Sequence, residues 1–239
     1  MKNTTSKTKS FEFKQFKVDG GYSGMPVSTD GVLLGAWCEL DKIKTLLDIG
    51  TGTGLLALMA AQRNANLIVS AIDINAEAIA AAQYNFEQSA WVRRLTLYHG
   101  DVLSYQFTQP FDAIVCNPPY FNSGEQSKFE QRAIARHTDT LNHLDLLARC
   151  YSLLQPDGYA CFVLPTVEGN QFIELATATG WFLQKLCHVK PNQEKAENRL
   201  LIQLGKRPTN LEENHLNIRD KQSYSDEFIA LTKDFYLKM

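Results

Sequence analysis

The 239-residue sequence predicts an α/β fold with a doubly wound, mostly parallel sheet. From Thr45 onward, short apolar runs alternate with segments in which apolar residues recur every three or four positions. Two later strand-like segments follow each other with no helix-length sequence between them. A hydrophobic content of 44% and a charged content of 21% are ordinary for a soluble globular protein, so we expect one sizeable domain and not a disordered or fibrous chain.

The alternating part contains five predicted strands, at 45–49, 67–72, 95–98, 111–116 and 159–164. The helical patterns lie at 55–63, 76–88, 143–154 and 167–179, the last ended by Gly180. Segments 181–189 and 198–204 are then predicted to pair as an antiparallel hairpin. The expected fold is therefore a seven-stranded Rossmann-like sheet with an antiparallel carboxyl-terminal hairpin.

The two ends of the chain predict smaller additions to this sheet. Residues 1–10 read as a basic flexible tail, and 11–239 as a single domain with an amino-terminal cap at 11–44 and the core at 45–239. Within the cap, 11–16 partly alternates like an exposed strand, and 30–40 predicts a helix with Thr29 or Asp30 as its N-cap. Apolar residues at near-helical spacing behind Ser225 predict a docked helix at 224–237.

Composition excludes several classes of protein. No stretch resembles a signal peptide, and no run of about 18 apolar residues could cross a bilayer, so we expect a cytoplasmic protein without a membrane partner. The five cysteines are odd in number and widely spaced, without a C-x-x-C pair, which predicts buried reduced thiols and no metal site. The sequence does not determine the oligomeric state.

A glycine-rich turn follows the first strand of the alternating part. Asp48, Gly50, Gly52 and Gly54 stand at every second position, and the next predicted helix begins at once. Glycines allow a sharp turn and close approach of a ligand, and the helix amino terminus presents unpaired N–H groups. Asp73 ends the second strand, where a carboxylate can accept hydrogen bonds from both ribose hydroxyls. These features fit a dinucleotide or a nucleoside cofactor, or else an ordinary tight turn.

The spacing of the glycines resembles motif I of the class I S-adenosylmethionine-dependent methyltransferases. The pattern is D-x-G-x-G-x-G, whereas dinucleotide-binding folds have G-x-G-x-x-G. The resemblance implies S-adenosyl-L-methionine as the cofactor, with Asp48 orienting the loop near the methionine moiety. It also implies that Asp101, which closes the third strand, receives the adenine amino group of the cofactor. Without motif I, an Asp-capped turn would explain Asp101 equally simply.

Asn117, Pro118, Pro119 and Tyr120 end the fourth strand, and their order suits methyl transfer to a planar exocyclic amine. Such an amine is a poor nucleophile because its lone pair is delocalised into the ring. The Asn117 side-chain oxygen and the Pro118 carbonyl can accept its two N–H groups, and Tyr120 can stack on the base. Asn117 is also expected to border the cofactor. Behind motif I, the tetrapeptide resembles that of N-methyltransferases acting on adenine N6, cytosine N4 or a glutamine amide.

The flanks of the motifs bear on the choice among these acceptors. Duplex-DNA enzymes of this branch generally carry a separate target-recognition domain, for which the chain has little room. Glutamine methyltransferases of release factors carry a helical amino-terminal domain, whereas here 47 residues precede Asp48. Segments 13–16, 25–37, 224–228 and 231–237 resemble the bacterial valine-tRNA adenine N6-methyltransferases. That resemblance implies an adenine in a tRNA anticodon loop as the acceptor, with Thr29, Asp30 and Gly31 folded over the cofactor. Protein glutamine methylation and a non-catalytic binding module remain alternatives.

Basic residues near these motifs are candidate contacts for tRNA phosphates: Lys14, Lys17, Lys128, Arg132 and Arg136. An ordinary solvated face is the simpler explanation of such residues. Because the net charge is −2, we expect few phosphate contacts and modest affinity.

Overall fold

The computed structural model describes residues 7–118 and 142–238. Its helices are α1 (Thr29–Trp37), α2 (Leu55–Arg63), α3 (Ala76–Glu87), α4 (His143–Leu153), α5 (Thr166–Ala178) and α6 (Asp226–Thr232), with a 3₁₀ turn at Val92–Arg94. Its strands are β1 (Phe11–Glu12), β2 (Lys17–Val18), β3 (Thr45–Ile49), β4 (Ile68–Asp73), β5 (Leu95–His99), β6 (Phe111–Cys116), β7 (Leu154–Pro165), β8 (Phe182–Asn192), β9 (Arg199–Gly205), β10 (Glu212–Asp220) and β11 (Ser223–Tyr224).

The main sheet has the strand order β11-β10-β8-β9-β7-β6-β3-β4-β5. Strands β3 to β7 are parallel to one another, β9 is antiparallel to both β7 and β8, and β10 is parallel to β8. The predicted mostly parallel sheet and its antiparallel hairpin are confirmed. The predicted count of seven strands is wrong, because β10 and β11 extend the sheet to nine.

Helices cover both faces of the sheet, as the doubly wound prediction requires. Helices α1, α2, α3 and α6 pack on one face around buried residues such as Met59 and Phe86. Helices α4 and α5 cover the other face, where Phe162 and Phe172 meet with ring centroids 4.8 Å apart. All five cysteines are buried free thiols, which confirms their predicted state. Within the described part of the chain, no helix is long and apolar enough to cross a membrane.

The ends of the chain differ in detail from the predictions. Only Phe11–Glu12 of the predicted 11–16 strand is extended, because Phe13 and Phe16 turn inward and stack with ring centroids 4.7 Å apart. The N-cap of α1 is Ser28, one residue before the predicted Thr29, and its Oγ accepts the Gly31 N–H at 3.1 Å. The predicted 224–237 helix is shorter, and α6 spans Asp226–Thr232.

One edge of the main sheet collects the functional ends of the strands. The carboxyl ends of β3 to β8 and of β10 lie there, together with the amino end of antiparallel β9. We call this the carboxyl edge, and Ile49, Asp73, Cys116, Asn192 and Arg199 mark it. In open α/β sheets, ligands bind in the crevice outside this edge.

Candidate functional site

Four predicted site residues follow neighbouring strands at the carboxyl edge. In the strand order β5-β4-β3-β6, Asp101 follows β5 and Asp73 ends β4. Gly50 follows β3, and Asn117 follows β6. Register places Ile49 opposite both Ile72 and Cys116. Since adjacent strands lie about 4.8 Å apart, the strands that end at Asp73 and Asn117 are separated by about 10 Å. The structure therefore brings the two predicted halves of the site side by side.

The glycine-rich loop has the backbone that its spacing requires. Gly50, Gly52 and Gly54 have φ of +67°, +56° and +84°, a conformation in which side chains are strained. A Cβ on Gly54 would lie 2.5 Å from Cε1 of Phe86, whereas one on Gly50 would meet nothing within 4 Å. Gly54 is thus required by packing, and the space beside Gly50 is open to a ligand.

Asp48 is fully buried beneath this loop. Its Oδ2 accepts the Thr51 hydroxyl at 2.6 Å and the Ala57 N–H of α2 at 3.2 Å. Its Oδ1 has no hydrogen-bond partner among the described residues. Burial raises the pKa of Asp48 to about 7, the two hydrogen bonds lower it in part, and the charge of Asp73 raises it further. A cationic ligand at the loop would favour the ionised carboxylate.

Asp73 and Asp101 are each held by backbone N–H groups. Asp73 accepts the Gly52 N–H on Oδ2 at 2.8 Å and the Asn75 N–H on Oδ1 at 2.9 Å, and the residue is almost wholly buried. Asp101 is half-buried and accepts the Leu103 N–H on Oδ1 at 2.9 Å. The two carboxylates are fixed before any ligand arrives. Together with the open space at Gly50 and the unpartnered Asp48 oxygen, they fit a nucleoside cofactor with a cationic group.

Two residues that sequence analysis missed, Met25 and Asn85, contact this loop. The Met25 sulfur lies 3.4 Å from the position of a Cβ on Gly52. Asn85 of α3 is buried, and its Nδ2 donates to the carbonyls of Thr53 and Asp19, at 2.9 Å each. The signal for Asn85 was an amide on the buried, otherwise apolar face of α3, because a buried amide needs partners.

Thr29 and Asp30 lie at the amino terminus of α1, beside the start of α2. A Cβ on Gly31 would come within 3.0 Å of Leu55, the first residue of α2. Both Thr29 and Asp30 line a cavity of about 430 Å³, which we call the edge cavity, together with Arg199. The residue over the glycine loop is Met25, and the predicted contact of Thr29 with the cofactor stays a prediction.

Of the predicted residues of the acceptor half, the structure describes Asn117 and Pro118. Asn117 is half-buried and Pro118 is buried, directly after β6. Pro119 lies outside the described residues, as do the predicted site residues Tyr120, Lys128, Arg132 and Arg136.

Lys14 and Lys17 lie apart from Asn117. The Lys14 ammonium donates to the Lys233 carbonyl at 2.5 Å. Lys17 lines a cavity of about 210 Å³ with Tyr84 and Gln88, toward the end of α3 that points away from the carboxyl edge. The structure does not bring these two lysines to the acceptor half of the site.

Comparison with known proteins identifies the family. Residues 28–148 match the family model described as the methyltransferase small domain. The chain is 58% identical to the tRNA1(Val) (adenine(37)-N6)-methyltransferase of Vibrio vulnificus strain YJ016 over 239 residues. The alignment covers 100% of both chains. The protein of the same name from Aliivibrio fischeri strain ES114 is 51% identical over 232 residues, or 97% of this chain and 99% of that one.

Solved structures share the fold at low sequence identity. A predicted O-methyltransferase from Agrobacterium tumefaciens superposes with a TM-score of 0.66 and 15% identity, over 86% of this chain and 96% of that one. The glycopeptide N-methyltransferase MtfA, complexed with S-adenosylmethionine, gives a TM-score of 0.54 and 15% identity, over 76% of this chain and 100% of that one. These likenesses show the fold, and the full-length relatives show more: this chain belongs to the tRNA1(Val) (adenine(37)-N6)-methyltransferase family.

Proposed function

We propose that this protein transfers a methyl group from S-adenosyl-L-methionine to the exocyclic N6 of adenine 37 in tRNA1(Val), the reaction named for its relatives. The observation that carries the proposal is the pairing of β3 with β6, which sets Asn117 and Pro118 beside the glycine-rich loop. An acceptor for amine protons thus borders a cradle for a cationic nucleoside. We place this activity in the cytoplasm.

Each polar residue of the cofactor half has its own role in binding the cofactor. Asp73 accepts hydrogen bonds from the ribose hydroxyls, and Asp101 receives the adenine amino group. Ionised Asp48 offsets the positive charge at the methionine end, and Gly50 allows close approach. When bound, the cofactor supplies an electrophilic methyl group on a positively charged sulfur. Because the carboxylates are already held by backbone N–H groups, little reorganisation accompanies binding.

The acceptor half would bind and orient the amine next to the cofactor loop. The Asn117 side-chain oxygen and the Pro118 carbonyl accept the two N–H groups, which favours a pyramidal nitrogen and localises its lone pair. Both oxygens also offset positive charge that develops on the nitrogen in the transition state. Positioning carries most of the catalysis. The nitrogen would release one proton to water as the new N–C bond forms, so no general base is strictly needed.

The adenine is held by stacking and the tRNA by its phosphates. A base in a single-stranded loop needs little energy to unstack, and stacking on Tyr120 contributes roughly 1–3 kcal/mol. Lys14, Lys17, Lys128, Arg132 and Arg136 remain candidate phosphate contacts from the sequence.

The test replaces the proposed amine acceptor. We expect Asn117→Ala to lower kcat by about 10²- to 10³-fold, because one preorganised polar group is lost from the transition state. Cofactor affinity, measured by calorimetry, should change little. Asn66→Ala is a matched control, since Asn66 is exposed near the opposite edge of the sheet. If Asn117→Ala retains most of the activity in a single-turnover assay, the amine acceptor lies elsewhere.

A further inference from the structure

The edge cavity lies along the carboxyl edge, and most of its lining comes from β8 to β11 and the loops between them. Pro191 and Asn192 come from the end of β8, Arg219 from the end of β10 and Arg199 from the start of β9. All of these ends lie at the carboxyl edge. Since β9 is two strands from β6, Arg199 is offset sideways by about 10 Å from the strand that ends at Asn117. A strand of RNA held at Asn117 can therefore continue over the cavity.

The charges that line the cavity are mostly positive. The lining contains three basic side chains and one acidic one: Lys195, Arg199, Arg219 and Asp30. Asp30 is itself engaged, since its Oδ2 accepts from Arg199 Nε at 2.7 Å. This concentration of positive charge occurs in a protein whose net charge is −2. A polyanion bound by such a protein has to be held by local clusters of this kind.

The loop that carries Lys195 is fixed before any ligand binds. Asn192 Oδ1 accepts the N–H groups of Glu194 and Lys195 at 3.1 and 3.0 Å. At the other end of this loop, the Glu197 oxygen Oε2 lies 2.7 Å from His188 Nδ1. The Glu197 carboxylate is therefore already paired with His188. A cationic loop in a set conformation loses little entropy on binding an anion.

Aromatic rings form the other wall of the cavity. The Arg219 guanidinium lies 4.8 Å from the ring centroid of Tyr224, and Tyr224 stacks on Phe228 at 4.9 Å. Stacking on Tyr224 limits the rotamers of Arg219. The volume of about 430 Å³ falls within the range of pockets that hold small ligands.

We propose that the edge cavity binds a backbone phosphate of the tRNA substrate, with Lys195 and Arg219 as direct contacts. This inference rests on the proposed function, because it takes RNA as the acceptor. Arg199, oriented by Asp30, lies between these contacts and the acceptor half of the site. The cavity then positions the strand next to adenine 37 and adds phosphate contacts that the sequence motifs do not contain.

The test compares two double variants that remove the same charge. Lys195→Ala/Arg219→Ala removes two positive charges from the cavity. Lys42→Ala/Arg207→Ala removes two from the opposite edge of the sheet, where both side chains are exposed. Binding of unmodified tRNA1(Val) transcript is measured against salt concentration, and methyl incorporation is measured in parallel.

The cavity variant should reduce the magnitude of the negative slope of log affinity against log salt by roughly 0.7 to 0.9, because one phosphate contact is lost, and should lower affinity by roughly tenfold at about 0.1 M salt. The control variant should match the wild type. Equal slopes for the two double variants would overturn the proposal, as would loss of inorganic phosphate binding with tRNA binding unchanged. The proposed function fails separately, if the wild-type protein binds the transcript but leaves adenine 37 unmethylated.

Discussion

The buried carboxylate beneath the cofactor loop should make stability depend on pH. Folding raises the pKa of Asp48 from its ordinary value of 3.8 to about 7. At about 1.4 kcal/mol per unit, the ionised form is disfavoured in the folded state by about 4 kcal/mol. The folded protein binds this proton more tightly than the unfolded chain does. The contribution of Asp48 to stability is therefore greatest at low pH and falls as pH rises from 3.8 to about 7.

Asp48→Asn removes that dependence while keeping an acceptor for the Thr51 hydroxyl and the Ala57 N–H. We expect the free energy of unfolding of the variant, relative to the wild type, to increase by about 2.5 kcal/mol between about pH 5 and about pH 8. Urea unfolding without cofactor measures this difference at both pH values. Any offset that the substitution introduces at both pH values cancels in the comparison.

Asn66→Ala provides the control, because Asn66 is exposed and its side chain carries no titratable group. Its difference from the wild type should be the same at both pH values. The Asp48 variant should also bind the cofactor about 10- to 100-fold more weakly, since a charge-assisted interaction is lost. A difference between Asp48→Asn and wild type that does not change with pH would refute the reasoning about buried charge.

Two further substitutions test the cofactor loop. Gly54→Ala should lower the free energy of unfolding by about 3 kcal/mol, because the new Cβ meets Phe86 and the backbone is strained. Gly180→Ala is the control: φ is +93°, but no atom lies within 4 Å of the new Cβ, so the free energy of unfolding should fall by about 1 kcal/mol. Similar losses in urea unfolding would contradict the packing argument. Asp73→Asn should weaken cofactor binding about 10- to 100-fold in calorimetry and leave tRNA affinity unchanged, because Gly52 and the ribose lose carboxylate acceptors. An equal loss of tRNA affinity would point to general damage.

The sequence was informative where local backbone demands a residue type. Gly50, Gly52 and Gly54 all take positive φ, so their spacing alone predicted the turn between β3 and α2. Asp73 and Asn117 end or follow strongly apolar strands, so their positions at one edge followed from parallel pairing. These features depend on a few neighbouring residues.

Features built from distant segments escaped prediction. Strand β10 has one buried residue, Leu216, and its polar sequence lacks the alternation of a half-buried strand. It is held by pairing with β8, which no local pattern encodes. The edge cavity likewise joins Asp30, Lys195 and Arg219 across most of the chain. The Ser28 cap was missed because serine, threonine and aspartate stand in succession, and each can cap a helix.

We propose that Asn117, beside the cofactor loop, directs a methyl group to adenine N6. The most direct measurement is mass spectrometry of nucleosides and mapped fragments from unmodified tRNA1(Val), incubated with S-adenosyl-L-methionine and either wild-type protein or Asn117→Ala. We expect one N6-methyladenosine at position 37 with the wild type and almost none with the variant. No N6-methyladenosine with the wild type, or the same yield with both proteins, would contradict the account.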